Sequence, residues 1–92
     1  MMKKFNIRDF LNKIIWDPRE KPKKYIIRYL SRGMPNNFAE IRGNMIIKVY
    51  HRGFEYKDLK GGKTYIPFHR ILEIRNSEGK VFYRKRNVSM HG

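Results

Sequence analysis

Two histidines in this 92-residue chain each precede an arginine, His51 with Arg52 and His69 with Arg70. Two imidazoles and a cation can cleave RNA by general acid and base. One ring removes the 2′-hydroxyl proton, the other protonates the leaving oxygen, and the cation holds the phosphate. The two pairs fall in different predicted strands, and spacing alone does not bring them together. The alternative makes His51 a surface residue at a strand end and His69 a hydrogen-bonded structural residue. LKGGKTY (59–65) contains GGKT, the tail of a phosphate-binding P-loop. The full motif needs a glycine where this chain has Lys57, and a helix after the threonine, where Tyr65, Ile66 and Pro67 disfavour one. A hairpin turn is the better reading of that stretch. Three scattered histidines without acids at ligand spacing, and no cysteine, predict neither a metal site nor a cofactor. No enzyme motif is complete, so the expectation is a protein that is not an enzyme.

Basic residues interleaved with aromatic ones are a stronger signal. Arg28 beside Tyr29, Arg52 near Phe54, Arg70 near Phe68 and Arg84 beside Tyr83 would set cations next to rings on a sheet. Such a surface holds phosphates and stacks unpaired bases. In the plainer reading the rings are core and the arginines face water, and strand alternation allows both on opposite faces. RGMP (32–35) adds a loop whose glycine lets backbone approach an anion closely.

Charge points the same way. Lys and Arg number 22 against 8 Asp and Glu, a formal charge of +14. Polyanions are the natural partners of so positive a field. Thermophilic ion-pair networks raise Glu along with Lys, and here the acids are few. Nucleic acid is therefore preferred over an anionic membrane surface, an acidic protein, or charge that serves solubility alone. A chain this short fits one domain, 1–92, burying roughly 60 to 65% of its unfolded surface, too little for a deep catalytic cavity. Asn6, Arg8 and Asp9 interrupt any apolar leader, and no run of about 20 apolar residues is present. The expectation is a cytoplasmic protein without a membrane segment.

The elements that must position these residues are an N-terminal helix and a set of strands. Asn6 can cap a helix over about 6–16, with Ile7, Phe10, Leu11, Ile14 and Ile15 on one face and Pro18 forcing an end by Asp17. Trp16 then lies at the exit corner. WDPREKPKK (16–24) is a turn and a basic connector. YIIRYL (25–30) is a strand, and 31–43 reads as a long turn-rich connection. MIIKVY (45–50), GFEYK (53–57), KTYIPF (63–68), RILEIR (70–75) and KVFYRKR (80–86) are strand candidates. Gly61-Gly62 and NSEG (76–79) suit hairpin turns. The pattern predicts an α+β fold: a helix on a strongly bent antiparallel meander of five or six strands, whose twist could curl it into a partial barrel, with a frayed tail at 87–92.

WDPRE (16–20), YIIRYLSRGMP (25–35) and IPFHRILEIR (66–75) together resemble a small archaeal family whose domain is called the RNA cyclic group end recognition domain. The resemblance runs from the helix to YRKR (83–86). It implies an RNA-binding protein that recognises processed ends such as a 2′,3′-cyclic phosphate, with RNA-processing proteins as further partners. On that basis Arg32, His69 and Arg70 are the expected ligands of the terminal phosphate. Arg28 and Arg84 are further phosphate contacts, and one of Tyr29, Phe68 or Tyr83 stacks the last base. His51 and the KGGK turn lie outside the family pattern, which weakens the alternative of an RNA-end phosphodiesterase or ribonuclease built on His51 and His69. A basic adaptor on an acidic protein or ribosomal surface is the other alternative.

One question is geometric. Strict strand alternation sends His69 and Arg70 to opposite faces. Pro67 removes a ladder donor and so predicts an edge or a bulge, where the alternation can reset and bring the two out together.

Overall fold

A computed structural model describes residues 5–34 and 36–85. Pro35 of RGMP, the end of the last predicted strand at Arg86, and the tail 87–92 lie outside the described residues. Helix α1 (Ile7–Trp16) starts where expected: the Asn6 side-chain oxygen accepts from the Asp9 backbone N–H at 3.0 Å, satisfying a donor the first turn leaves free. It ends at Asp17, in extended backbone before Pro18. Leu11 and Ile14 are buried, and Trp16 is 75% exposed.

Among the described residues seven strands follow: β1 (Tyr25–Leu30), β2 (Phe38–Arg42), β3 (Ile46–Val49), β4 (Gly53–Lys57), β5 (Lys63–Pro67), β6 (Ile71–Asn76) and β7 (Val81–Arg84). They form two antiparallel sheets, not the single meander expected. One has four strands in the order β2-β1-β6-β7; the other has three, β3-β4-β5. Among the described residues neither sheet closes or curls, so the partial-barrel expectation is corrected to two open sheets.

Two short 3₁₀ turns break the meander. Gly43–Met45 separates β2 from β3, and Phe68–Arg70 separates β5 from β6. The second turn releases β6 from its sequence neighbour to pair with β1, setting Ile27 opposite Ile74 and Arg28 opposite Glu73. Gly43 is required for the close approach of chain at the first turn: a Cβ there would lie 2.6 Å from the Pro22 carbonyl oxygen.

FAEIR, placed by sequence in the connection 31–43, is strand β2 and pairs with β1, with Ile41 opposite Ile27. The hairpin turns are as expected. Asp58 accepts from the backbone N–H of Lys60 and Gly62, and Asn76 from those of Glu78 and Lys80, with Gly61 and Gly79 at positive φ.

The core joins the helix to both sheets. Its fully buried side chains are Leu11 and Ile14 from α1, Ile27, Ile71 and Ile74 from the four-stranded sheet, and Phe54 from β4. The polar face of the four-stranded sheet carries a charge ladder. Glu40 on β2 accepts from Arg28 (2.8 Å) and Arg75 (2.9 Å), and Glu73 on β6 from Arg75 (3.0 Å) and Arg84 (3.1 Å). The Arg75 hydrogen bond holds the Glu40 carboxyl below its ordinary range, against the opposing effect of burial.

Candidate nucleic-acid interface

Pro67 ends β5, an edge strand, and the next three residues leave the sheet as the Phe68–Arg70 turn. The turn, rather than a bulge at Pro67, resets the alternation. The neighbouring bulge is on β6, where Glu73 faces Arg28 and Ile71 faces Tyr29, leaving Leu72 extra. His69 and Arg70 are both exposed and both line one concavity of about 700 Å³.

That concavity lies where the two sheets meet. Leu30, Ser31 and Arg32 come from the end of β1 and its following loop, and Thr64, Tyr65 and Ile66 from β5. Lys85 enters from the chain after β7, where its Nζ donates to the His69 carbonyl oxygen at 2.5 Å. The bond fixes the turn and leaves two ammonium hydrogens for another acceptor. Three permanent cations and one imidazole thus surround a single hollow.

Two tyrosines, Tyr29 and Tyr56, contribute neutral donors. They are buried, and their hydroxyls share a hydrogen bond of 2.6 Å. Burial, then the hydrogen bond to Tyr56, pushes the Tyr29 phenol well above its ordinary range, so the Tyr29 hydroxyl keeps its proton. Only one of the two hydroxyl hydrogens can lie between the oxygens. The other is free to donate, and both residues line the concavity.

The structure therefore brings Arg32, His69 and Arg70 together. It places the remaining expected residues elsewhere. Arg28 lies over the Phe38 ring at 4.2 Å and pairs with Glu40, while Arg84 pairs with Glu73; neither lines the hollow. Tyr29 is only 6% exposed and gives a hydroxyl rather than a ring face. Phe68 packs against the core and lines a different hollow with Phe5, Arg8 and His51. Tyr83 stacks on Phe5, ring centroids 5.5 Å apart. His51 accepts from the Arg8 guanidinium at 2.6 Å, and no described concavity is lined by both His51 and His69.

Sequence reasoning missed Lys85, Thr64, Tyr56 and Tyr65. Tyr65 carried a weak signal: it alternates with Thr64 and Ile66 on a strand whose buried residue is Ile66, so it must face outward.

Comparison with known proteins assigns the lineage. Residues 2–85 match the family described as the MJ1316 RNA cyclic group end recognition domain. The chain belongs to this family. Its relatives include the UPF0248 protein of Methanococcus vannielii, 39% identical over 89% of this chain and 94% of that one. The UPF0248 protein of Methanocaldococcus jannaschii is 37% identical over 89% and 96% of the two chains, and that of Pyrococcus abyssi 33% over 95% and 98%. No solved structure matches the chain. The family's name specifies RNA ends, and IPFHRI, part of one of the three stretches that carried the resemblance, builds the turn that presents His69 and Arg70.

Proposed function

We propose that the protein binds RNA and seats a processed end, a 2′,3′-cyclic phosphate or related terminal group, in the concavity between the sheets. The observation that supports this is the convergence of Arg32, His69, Arg70 and Lys85 from three separate segments on one hollow whose floor supplies a hydroxyl donor. A cyclic phosphate is a monoanion with two non-bridging oxygens. A guanidinium fork can engage both, and an imidazole N–H and a tyrosine hydroxyl can complete the acceptors' hydrogen bonds. A terminal hydroxyl offers no charge to these groups.

Affinity for the rest of the strand comes from the +14 charge acting on phosphodiesters, so binding weakens steeply with salt. Recognition without cleavage is the reading proposed: among the described residues His69 has cations beside it, and no second imidazole lines its hollow. The placement is tested by recording ¹H–¹⁵N spectra while adding an oligonucleotide that ends in a cyclic phosphate. Ser31, Arg32, His69, Arg70 and Lys85 should shift most. Largest shifts on α1 or on the charge ladder would overturn it.

A further inference from the structure

The end-binding hollow continues past its β5 wall. Tyr65 lines it, and the same residue lines a second concavity of about 490 Å³ with Tyr50, His51, Arg52 and Glu55. Tyr65 is 47% exposed, and its ring meets that of Tyr50 edge-on, centroids 5.8 Å apart. Gly53 makes this orientation possible. A Cβ there would lie 2.4 Å from the Tyr65 hydroxyl oxygen and 2.5 Å from its Cζ, so the ring crosses β4 at a residue with no side chain. The Tyr50 hydroxyl donates to Glu55 at 3.2 Å, which fixes the second ring.

We infer that Tyr65 is the shared wall of a two-nucleotide site, with the terminal group on one side and the penultimate nucleotide on the other, its base against the tyrosines and its phosphodiester against Arg52. The inference rests on the proposed RNA-end function and extends it to the next nucleotide. Three features favour a nucleotide there. An exposed, oriented ring stacks any base without regard to sequence. Arg52 and His51 supply donors for a phosphodiester at the rim. The Glu55 carboxylate repels phosphate from the interior of the hollow and accepts from the N–H edge of a base. Tyr65 thus supplies the exposed stacking face that the buried Tyr29, the core-packed Phe68 and the Phe5-stacked Tyr83 lack.

A length series tests this. Affinities are measured for cytidine 2′,3′-cyclic phosphate, for the dinucleotide and tetranucleotide with the same terminus, and for the matching hydroxyl-ended series. In the unaltered protein the cyclic-ended dinucleotide should bind about tenfold tighter than the mononucleotide. The step to four nucleotides should add less. Tyr65→Ala and Arg52→Ala should each bring the dinucleotide-to-mononucleotide ratio close to one, and Tyr65→Phe should retain it. Arg52 is exposed, so its variant serves even if Tyr65→Ala unfolds. A ratio near one in the unaltered protein, or a ratio unchanged by both variants, overturns the two-nucleotide site. Coincident cyclic and hydroxyl series with the ratio intact would instead overturn end recognition alone, and absence of binding in both series would overturn both.

Discussion

Arg70→Ala and Arg32→Ala should each weaken binding of a cyclic-phosphate-ended oligonucleotide by about ten- to a hundredfold. Each removes a charge-assisted hydrogen bond, of about 1.5–3 kcal/mol, from a hollow that is only partly open to water. The same variants should cost a hydroxyl-ended strand only a few-fold, since one cation among many is lost from the general field. Arg70→Lys should fall between, because an ammonium keeps the charge and loses the planar fork. Arg84→Ala is the informative contrast: it lies in the ladder with Glu73 and outside the hollow, so it should alter both strands alike. Fluorescence anisotropy at one fixed salt concentration reads all four. Equal losses for the two strands in Arg32→Ala and Arg70→Ala would remove these residues from end recognition.

Phe54→Ala should cost about 3–5 kcal/mol of folding stability. The ring is fully buried, lies opposite Ile66 in the β4–β5 register, and sits in the cluster that ties the three-stranded sheet to α1 and to β6. A cavity there has walls on several elements and so collapses poorly. Since total stability of such domains is about 5–15 kcal/mol, much of the margin is lost. Tyr56, two residues on, holds the hydroxyl pair at the floor of the hollow, so the surviving folded fraction should also bind the end more weakly. Leu59→Ala, at a hairpin residue 96% exposed, should change stability by less than about 0.5 kcal/mol. Equilibrium unfolding in urea compares them, and a cost below about 1 kcal/mol for Phe54→Ala would contradict the placement of this ring in the core.

What could be read from the residues alone was what local chemistry determines. Asn6 capping α1, Pro18 ending it, and the hairpin turns at Gly61-Gly62 and NSEG (76–79) all act within four residues, and each is present. Pairing of β1 with β6 joins residues nearly fifty apart and has no local signature, so a meander was the natural expectation. FAEIR was hidden for a related reason: its strand character comes from packing Ile41 beside Ile27, while Asn36 and Asn37 before it read as turn.

The candidate site divides along the same line. Arg32, His69 and Arg70 came from family resemblance, and the Phe68–Arg70 turn explains how a histidine and the adjacent arginine can face one hollow. Arg28 and Arg84 looked equivalent to them in the sequence. Only cross-strand register shows that Glu40 and Glu73 stand opposite and occupy them. Lys85 was invisible because its role depends on reaching the His69 carbonyl from a different element.

Under the proposed function, a phosphate at the RNA end, beyond the strand's general charge, is what the hollow reads. A binding titration of the unaltered protein with one oligonucleotide carrying, in turn, a 2′,3′-cyclic phosphate, a 3′-phosphate and a hydroxyl terminus tests it most directly. The phosphorylated ends should bind at least about tenfold tighter than the hydroxyl, with the cyclic form tightest, at a salt concentration where the hydroxyl-ended strand binds weakly. Equal affinities for all three would contradict the account and leave only binding of a polyanion by a basic surface.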